Sequence, residues 1–367
     1  MSSLSSLVHK AALTLAVPLA LIVSILLGLS SVAQFFNPLQ AEFMPLLGLF
    51  FPVFFILTMV IFLLLAFFLN RFAFLPLFFI LAVLPIANLY IGKNSRTTSK
   101  NQKLITFNVH GFRTHGGFGS SSSRASDIAA FISNSGADFV CIQEFRSWSG
   151  DIINDIHSFV KETGLEHFSH SIYWPKGKSS SDIHLIISRF PIIKSGSISA
   201  RTGRNIGHFA DFTTDEGNMR LVSVHLISFS LDKNELSMLS QGDMLDRKTV
   251  QEYGPKLSGK LTSTFRIRAL ETEDLLRFVN KSALPVVLAG DFNDTPASYT
   301  HRSLRRAGFT DTHPRHGKGF GSTYAGRIPF LRIDYVFLSP TFEADLSTVY
   351  KIKFSDHFPV AVTFGKL

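Results

Sequence analysis

Three apolar stretches without a charged side chain occupy the first quarter of the chain and decide what it can fold into: Ala11 to Ala33, Phe43 to Leu69 and Phe72 to Ile91. Crossing a hydrocarbon core takes about 20 residues of helix. Three transmembrane helices are therefore expected, at about 11–33, 43–69 and 72–91. Only Asn70-Arg71 separates the second from the third, which predicts a tight helical hairpin. Pro18, Pro45, Pro52, Pro76 and Pro85 are tolerable there because neighbouring helices re-satisfy freed backbone groups. A cleaved signal peptide is the competing reading of the first stretch, since Ser31-Val32-Ala33 resembles a cleavage site, but the apolar run is too long for one.

The net charge of +9 would by itself suggest a nucleic-acid binder. Its distribution weakens that inference. Residues 1–103 hold one acidic residue, Glu42, against Lys10, Arg71, Lys93, Arg96, Lys100 and Lys103, so more than half of the excess flanks the apolar stretches. Three spans put the two termini on opposite sides. Lys93, Arg96, Lys100 and Lys103 favour a cytoplasmic C-terminal domain by the positive-inside rule. Lys10 before the first helix and Glu42 after it favour the opposite, and the balance leans to an extracytoplasmic domain on an integral protein of the plasma (inner) membrane. The single cysteine, Cys141, lies in an apolar run, excludes an intrachain disulfide and reads as core.

Residues 1–92 thus read as a membrane anchor, 93–103 as a polar linker and 104–367 as one α/β domain. Eleven linker residues reach at most about 35–40 Å, which holds the domain close to the bilayer. Leu104–Phe107, Phe139–Ile142, His184–Ile187, Leu221–Val224, Val286–Ala289, Ile333–Leu338 and Val360–Phe364 read as strands. Ser126 is placed to cap a helix that Gly136 ends, and Thr264–Asn280 predicts a second helix. His115–Ser123 reads as a Gly- and Ser-rich surface loop. Gly317-Lys318-Gly319-Phe320-Gly321 lacks the strand and the Lys-Ser or Lys-Thr ending of a P-loop and reads as a turn.

Acidic, amide and imidazole side chains recur at the exits of these strands. Ile105-Thr106-Phe107-Asn108-Val109, Ile142-Gln143-Glu144, Val224-His225-Leu226, Gly290-Asp291-Phe292-Asn293, Ile333-Asp334-Tyr335 and Ser355-Asp356-His357-Phe358-Pro359 follow one another in that order. Each motif is weak alone. Together the series resembles the endonuclease/exonuclease/phosphatase superfamily, the deoxyribonuclease I-like fold, across essentially all of residues 104–367.

The resemblance implies a four-layer α/β sandwich, here preceded by the three transmembrane helices, and a divalent-metal-dependent phosphoesterase. It implies Glu144, Asn108 and Asp356 as ligands of Mg²⁺ or Mn²⁺, whose preference is for hard oxygen donors. It implies His357 as the general base, Asp334 as its orienting partner, Asp291 and Asn293 as the groups positioning nucleophile and phosphate, and His225 as a phosphate contact. Thr323, Tyr324 and Arg332 stand close to Asp334 in sequence without a catalytic role being read for them. Lys248, Lys256, Lys260, Arg266 and Arg268 form a modest basic cluster that suits an endonuclease acting on nucleic acid. The alternatives are a phospholipid, sphingomyelin or inositol-phosphate head-group phosphoesterase and, from another class, a catalytically silent membrane scaffold. Oligomeric state is not legible.

Overall fold

The structure is a computed structural model, which describes residues 2–68, 71–96, 102–113, 120–173, 182–229, 247–326 and 330–367. The apolar N-terminal quarter is helical: α1 (Ser2–Val32), α2 (Met44–Leu49), α3 (Phe51–Phe67) and α4 (Phe74–Ala87). The expectation of three membrane-spanning helices needs correction. Among the described residues only Ala16–Phe35 is long and apolar enough to cross a membrane, with a mean hydropathy of 2.3. The second stretch breaks at Phe50, because Pro45 and Pro52 sit in the first turns of two separate helices, where a missing N–H costs nothing. At 1.5 Å per residue, α3 and α4 extend only about 20–26 Å, short of the roughly 30 Å core.

The remaining residues form two six-stranded sheets on one plan, a central parallel pair flanked by antiparallel strands. The first runs β13 (Phe342–Val349), β14 (Val360–Lys366), β2 (Gln102–Asn108), β3 (Phe139–Phe145), β5 (Ile183–Ser188), β4 (His167–Ile172). The second runs β10 (Thr310–Asp311), β12 (Asp334–Leu338), β9 (Val286–Asp291), β8 (Gly217–His225), β7 (Asn205–Thr214), β6 (Ile192–Ser199). The parallel pairs are β2 with β3 and β8 with β9.

Burial explains the layering. Leu104, Phe139, Cys141 and Val362 from one sheet meet Ala210, Leu221, Val287 and Val336 from the other in a single core between the sheets. The outer face of the first sheet packs Ile105, Phe107 and Val140 against Ile128 and Ile132 of α5 (Ser121–Ser135) and Ile156 and Phe159 of α6 (Ile152–Thr163). The outer face of the second packs Val222, Val224 and Leu288 against Leu275 of α7 (Arg247–Val279) and Leu304 of α8 (Tyr299–Arg306). Helix, sheet, sheet, helix is the expected four-layer sandwich. Central strands buried on both faces also account for their continuous apolar runs in the sequence.

Local boundaries differ from the sequence reading where polar residues compete for the cap. Ser120, not Ser126, caps α5 by accepting from the Ser123 amide, whereas Gly136 does end it in a left-handed conformation. The second expected helix starts at Arg247, well before Thr264. The predicted loop at His115–Ser123 lies partly in α5, and residues 115–119 lie outside the described residues.

Several contacts hold the apolar helices to the domain. Gly92–Lys93 (β1) pairs with Lys318–Gly319 (β11) within the Gly317–Gly321 turn, and residues 97–101 lie outside the described residues. Phe51 and Tyr90 stack at 5.5 Å and pack with Leu27, Val83, Ala87 and the domain residue Ala297.

Candidate active site

The candidate residues converge because the two central parallel pairs end together. Asn108 closes β2, Glu144 is the penultimate residue of β3, His225 closes β8 and Asp291 closes β9. Asp334 opens β12 directly opposite Asp291, and Asp356 and His357 lie in the turn that leads into β14. Carboxyl ends of parallel strands are where loops diverge and open a cleft.

Three local devices aim these side chains. A bulge interrupts the pairing of β3 and β5 between Ile142 and Phe145, and Glu144 there has φ of 54°, which turns its carboxylate out of the strand alternation. Beneath it Gln143 donates to Ser223 Oγ at 2.9 Å and Thr106 Oγ1 at 3.1 Å, tying the two sheets together through a satisfied buried network. Gly290, at φ 148°, leaves no room for a side chain, since a Cβ would stand 2.0 Å from the Val224 carbonyl oxygen. Asn293, at φ 52°, is held by its N–H donating to Asp291 Oδ1 at 2.8 Å, an Asx turn. Strained backbone concentrated in this way is characteristic of functional sites.

The imidazole of His357 is fixed from one side and open on the other. Its Nδ1 donates to Asp334 Oδ2 at 2.9 Å, while Nε2 stands 3.7 Å from Asp291 Oδ2. Thr323 Oγ1 accepts from the amides of Ile333 and Asp334 and so seats that strand, and Tyr324 packs edge-on against His357 with ring centres 5.6 Å apart. Asn108 Nδ2 donates to both Glu144 Oε1 at 3.1 Å and Asp291 Oδ2 at 3.0 Å, and its oxygen accepts from the His110 amide at 3.0 Å. Asn108 therefore orients two carboxylates through its nitrogen, and its oxygen is engaged by the backbone. Asn293 Nδ2 donates to the Leu226 carbonyl at 2.9 Å. His225 Nε2 faces Glu144 Oε1 at 3.5 Å, and its ring stacks on Tyr173 at 4.5 Å.

Burial and mutual charge set the protonation states. Burial raises the Glu144 carboxyl above its ordinary range. Burial and the charge of Asp334 push Asp291 up to about 7 against the pull of His357. Burial opposes a charged His357, but Asp334 and Asp291 outweigh it and hold its pKa well above the usual value. His225 is displaced the other way, well below the usual value, by burial first and then by His184 and Arg204, so it is neutral at pH 7.

The pocket has a volume of about 450 Å³, and its walls include His110, Arg113, Glu144, Asp291, Asn293, Asp356 and His357. Glu144, Asp291 and Asp356 are acidic, and Arg113 is the one Lys or Arg among the described lining residues. That donor set, hard oxygens in excess of positive charge, fits a divalent cation, with Glu144 and Asp356 the accessible carboxylates. A bound cation would polarise a phosphate oxygen and offset its charge. Asp291, Asp334 and His357 also offer ligand atoms within 4.8 Å of one another. The direct His357–Asp334 hydrogen bond fits that group better to proton transfer than to ligation.

Several residues at the site carry no motif in the sequence. His110 Nδ1 lies 3.4 Å from Asp356 Oδ1 and 3.7 Å from Glu144 Oε2, on a residue with φ of 48°. Leu49, Ser228, Phe229, Thr295 and Leu331 also line the pocket, and Leu49 comes from the apolar N-terminal quarter. Arg332 is buried and bonded to Asp311 and to the Leu89 carbonyl, which makes it structural.

The chain belongs to the Endonuclease/Exonuclease/phosphatase family, which it matches over residues 105–357. It is accordingly a metal-dependent hydrolase of phosphate esters. No curated protein matches it. Among solved structures it is similar to an endonuclease/exonuclease/phosphatase family protein from Leptotrichia buccalis, with TM-score 0.52 and 16% identity, over 72% of this chain and 99% of that one. It is also similar to the endonuclease/exonuclease/phosphatase from Beutenbergia cavernae, with TM-score 0.51 and 18% identity, over 73% and 72% of the two chains. The corresponding protein from Bacteroides vulgatus has TM-score 0.51 and 16% identity, over 74% of this chain and 100% of its own. At these identities the likeness is one of fold.

Proposed function

We propose that this protein is a membrane-anchored phosphoesterase that uses Mg²⁺ or Mn²⁺ to hydrolyse phosphodiester bonds. The observation that carries the reading is the buried His357–Asp334 pair facing Asp291 across one pocket with Glu144 and Asp356. In this reading Glu144, which Asn108 orients, and Asp356 hold the cation. His357 Nε2 takes the proton of the attacking water, and Asp334 fixes the ring and stabilises the imidazolium. Asp291 positions the water, and Asn293 and the neutral His225 donate to phosphate oxygens. Retention of all eight residues argues against a silent scaffold.

Membrane attachment is supported by what the apolar helices leave uncovered. Ile22, Val60, Leu63, Phe67, Phe74, Phe78 and Leu81 are each 47% or more exposed. A surface of this size and character requires an apolar partner, and lipid is the simplest. The endonuclease reading draws on basic side chains, and several are already engaged. Arg268 is buried, donates to the Ile227 carbonyl at 2.8 Å and lies 3.6 Å from Asp294, and Arg266 pairs with Glu42 at 3.7 Å. The Lys248 side chain lies outside the described residues.

The test is hydrolysis of bis(p-nitrophenyl) phosphate by the full chain in detergent, with Mg²⁺ or Mn²⁺ and with chelator. Metal-dependent release of nitrophenol is expected. Equal turnover in chelator would contradict the proposal.

A further inference from the structure

The apolar N-terminal quarter contributes one residue to the wall of the active pocket. Leu49 ends α2 and lines the pocket with Asp291, Asn293 and His357, and α3 starts at Phe51. Two residues of chain span at most about 7 Å, so the pocket wall lies within that reach of the first turn of an apolar helix. Leu49 does not stand alone. With Leu46 and the pocket residue Phe229 it packs on the buried Leu257, Leu261 and Phe265 of α7, so Leu49 and Phe229 form the pocket-facing edge of one apolar cluster.

Exposed phenylalanines and arginines also lie on the segment that carries Leu49 and on the helix packed against it. Phe35, Phe36, Phe43 and Phe50 are 42–62% exposed in the segment joining α1 to α3. The guanidinium of Arg302 lies 4.1 Å over the ring of Phe35, and Arg305 and Arg306 at the end of the same helix are exposed. Each cation near an anionic membrane surface gains about 1 kcal/mol.

From this juxtaposition we propose that the substrate is the phosphoester of a membrane phospholipid, its head group in the pocket and its glycerol and first methylenes against Leu49 and Phe229. The proposal rests on the phosphoesterase reading and adds the substrate class to it. In the reaction the water oxygen bonds to phosphorus and its proton passes to His357. One phosphorus–oxygen ester bond breaks, and the departing oxygen leaves as an alcohol after protonation by solvent. A nucleic-acid duplex has no use for an apolar wall.

The experiment uses the full chain in nanodiscs with Mg²⁺ and offers four probes. These are a mixture of phosphatidylglycerol, phosphatidylethanolamine and phosphatidylcholine, the same mixture after deacylation, plasmid DNA, and bis(p-nitrophenyl) phosphate. Turnover of the intact lipids about tenfold or more above their deacylated counterparts is expected, the scale on which an apolar contact discriminates substrates. Leu49→Gln should lower the ratio of lipid to bis(p-nitrophenyl) phosphate turnover by about tenfold, and Leu49→Met should restore it. Equal turnover of intact and deacylated lipids, an unchanged ratio in Leu49→Gln, or cleavage of DNA with lipids untouched overturns the substrate assignment and leaves the phosphoesterase reading standing. Turnover of none of the four probes removes both.

Discussion

Arg332 donates to the carbonyl oxygen of Leu89 at 2.7 Å, and this bond joins the end of the apolar helices to the strand that begins with the catalytic candidate Asp334. The same guanidinium makes two hydrogen bonds to Asp311, at 3.1 and 2.7 Å, and His301 bonds to Asp311 at 2.8 Å. All three side chains are buried. Nearby, the Ala297 amide donates to Tyr90 Oη at 3.3 Å, so the loop that follows Asp291 and Asn293 is also seated on the helix ends.

Arg332→Met is expected to cost about 3–5 kcal/mol, because it leaves Asp311 charged and buried with its main partner gone. Chemical unfolding of the full chain in detergent measures this. The charge of Arg332, joined by His301, overcomes burial and holds the Asp311 carboxyl below its ordinary range. A depressed carboxyl stabilises the fold above its unfolded pKa of about 3.9, and that contribution is lost as pH falls through the folded value. The cost of Arg332→Met should therefore be larger at pH 7 than at pH 3.

Asp334→Asn is expected to lower kcat by about 10²–10⁴, the range for disabling an acid–base pair. It also removes the largest influence raising the His357 pKa. The unprotonated ring then exists at lower pH, so the acid limb of the pH–rate profile should move down. A profile that falls in height without moving would show that Asp334 does not act through His357.

Asp291→Asn separates stability from activity. A carboxyl raised to about 7 stabilises the fold fully below its unfolded pKa and loses that contribution as pH rises through 7. In chelator at pH 8 the variant should therefore be more stable than the wild type by on the order of 1 kcal/mol, while metal-dependent turnover collapses. Thermal unfolding with paired assays reads both.

Glu144→Gln keeps the shape of the side chain and removes the charge expected to hold the cation. The Mg²⁺ concentration for half-maximal turnover should rise by about tenfold or more. An unchanged metal requirement would assign the cation to other ligands.

The sequence carried the site further than it carried the apolar N-terminal quarter. Asn108, Glu144, His225, Asp291 and Asp334 were legible because each stands at or next to the end of a strand buried on both faces, where an apolar run meets a polar residue, and His357 because it sits in a short polar motif just before the last strand. Edge strands β4, β6 and β13 were not, since polar and exposed positions blur the signal: Ile192–Ser199 is mostly exposed. The buried β7 was missed because Gly207, His208 and Asp211 interrupt its apolar run. His110 stayed hidden because its role depends on a left-handed backbone turn rather than on a residue pattern. Length of apolar sequence overstated the helices, since Pro52 starts a new helix instead of bending a long one. No pattern of residues could have placed Leu49 in the pocket, because it arrives there through the packing of α2 on α7.

The central claim is that His357, oriented by Asp334, removes the proton from the attacking water in a metal-dependent phosphoester hydrolysis. The most direct measurement is the Mg²⁺-dependent turnover of bis(p-nitrophenyl) phosphate by full-length His357→Ala against the wild type, with thermal unfolding confirming that both are folded. A loss of about 10²–10⁴ in kcat with the fold retained is the expected result. Turnover within a few-fold of the wild type by the folded variant would contradict the account.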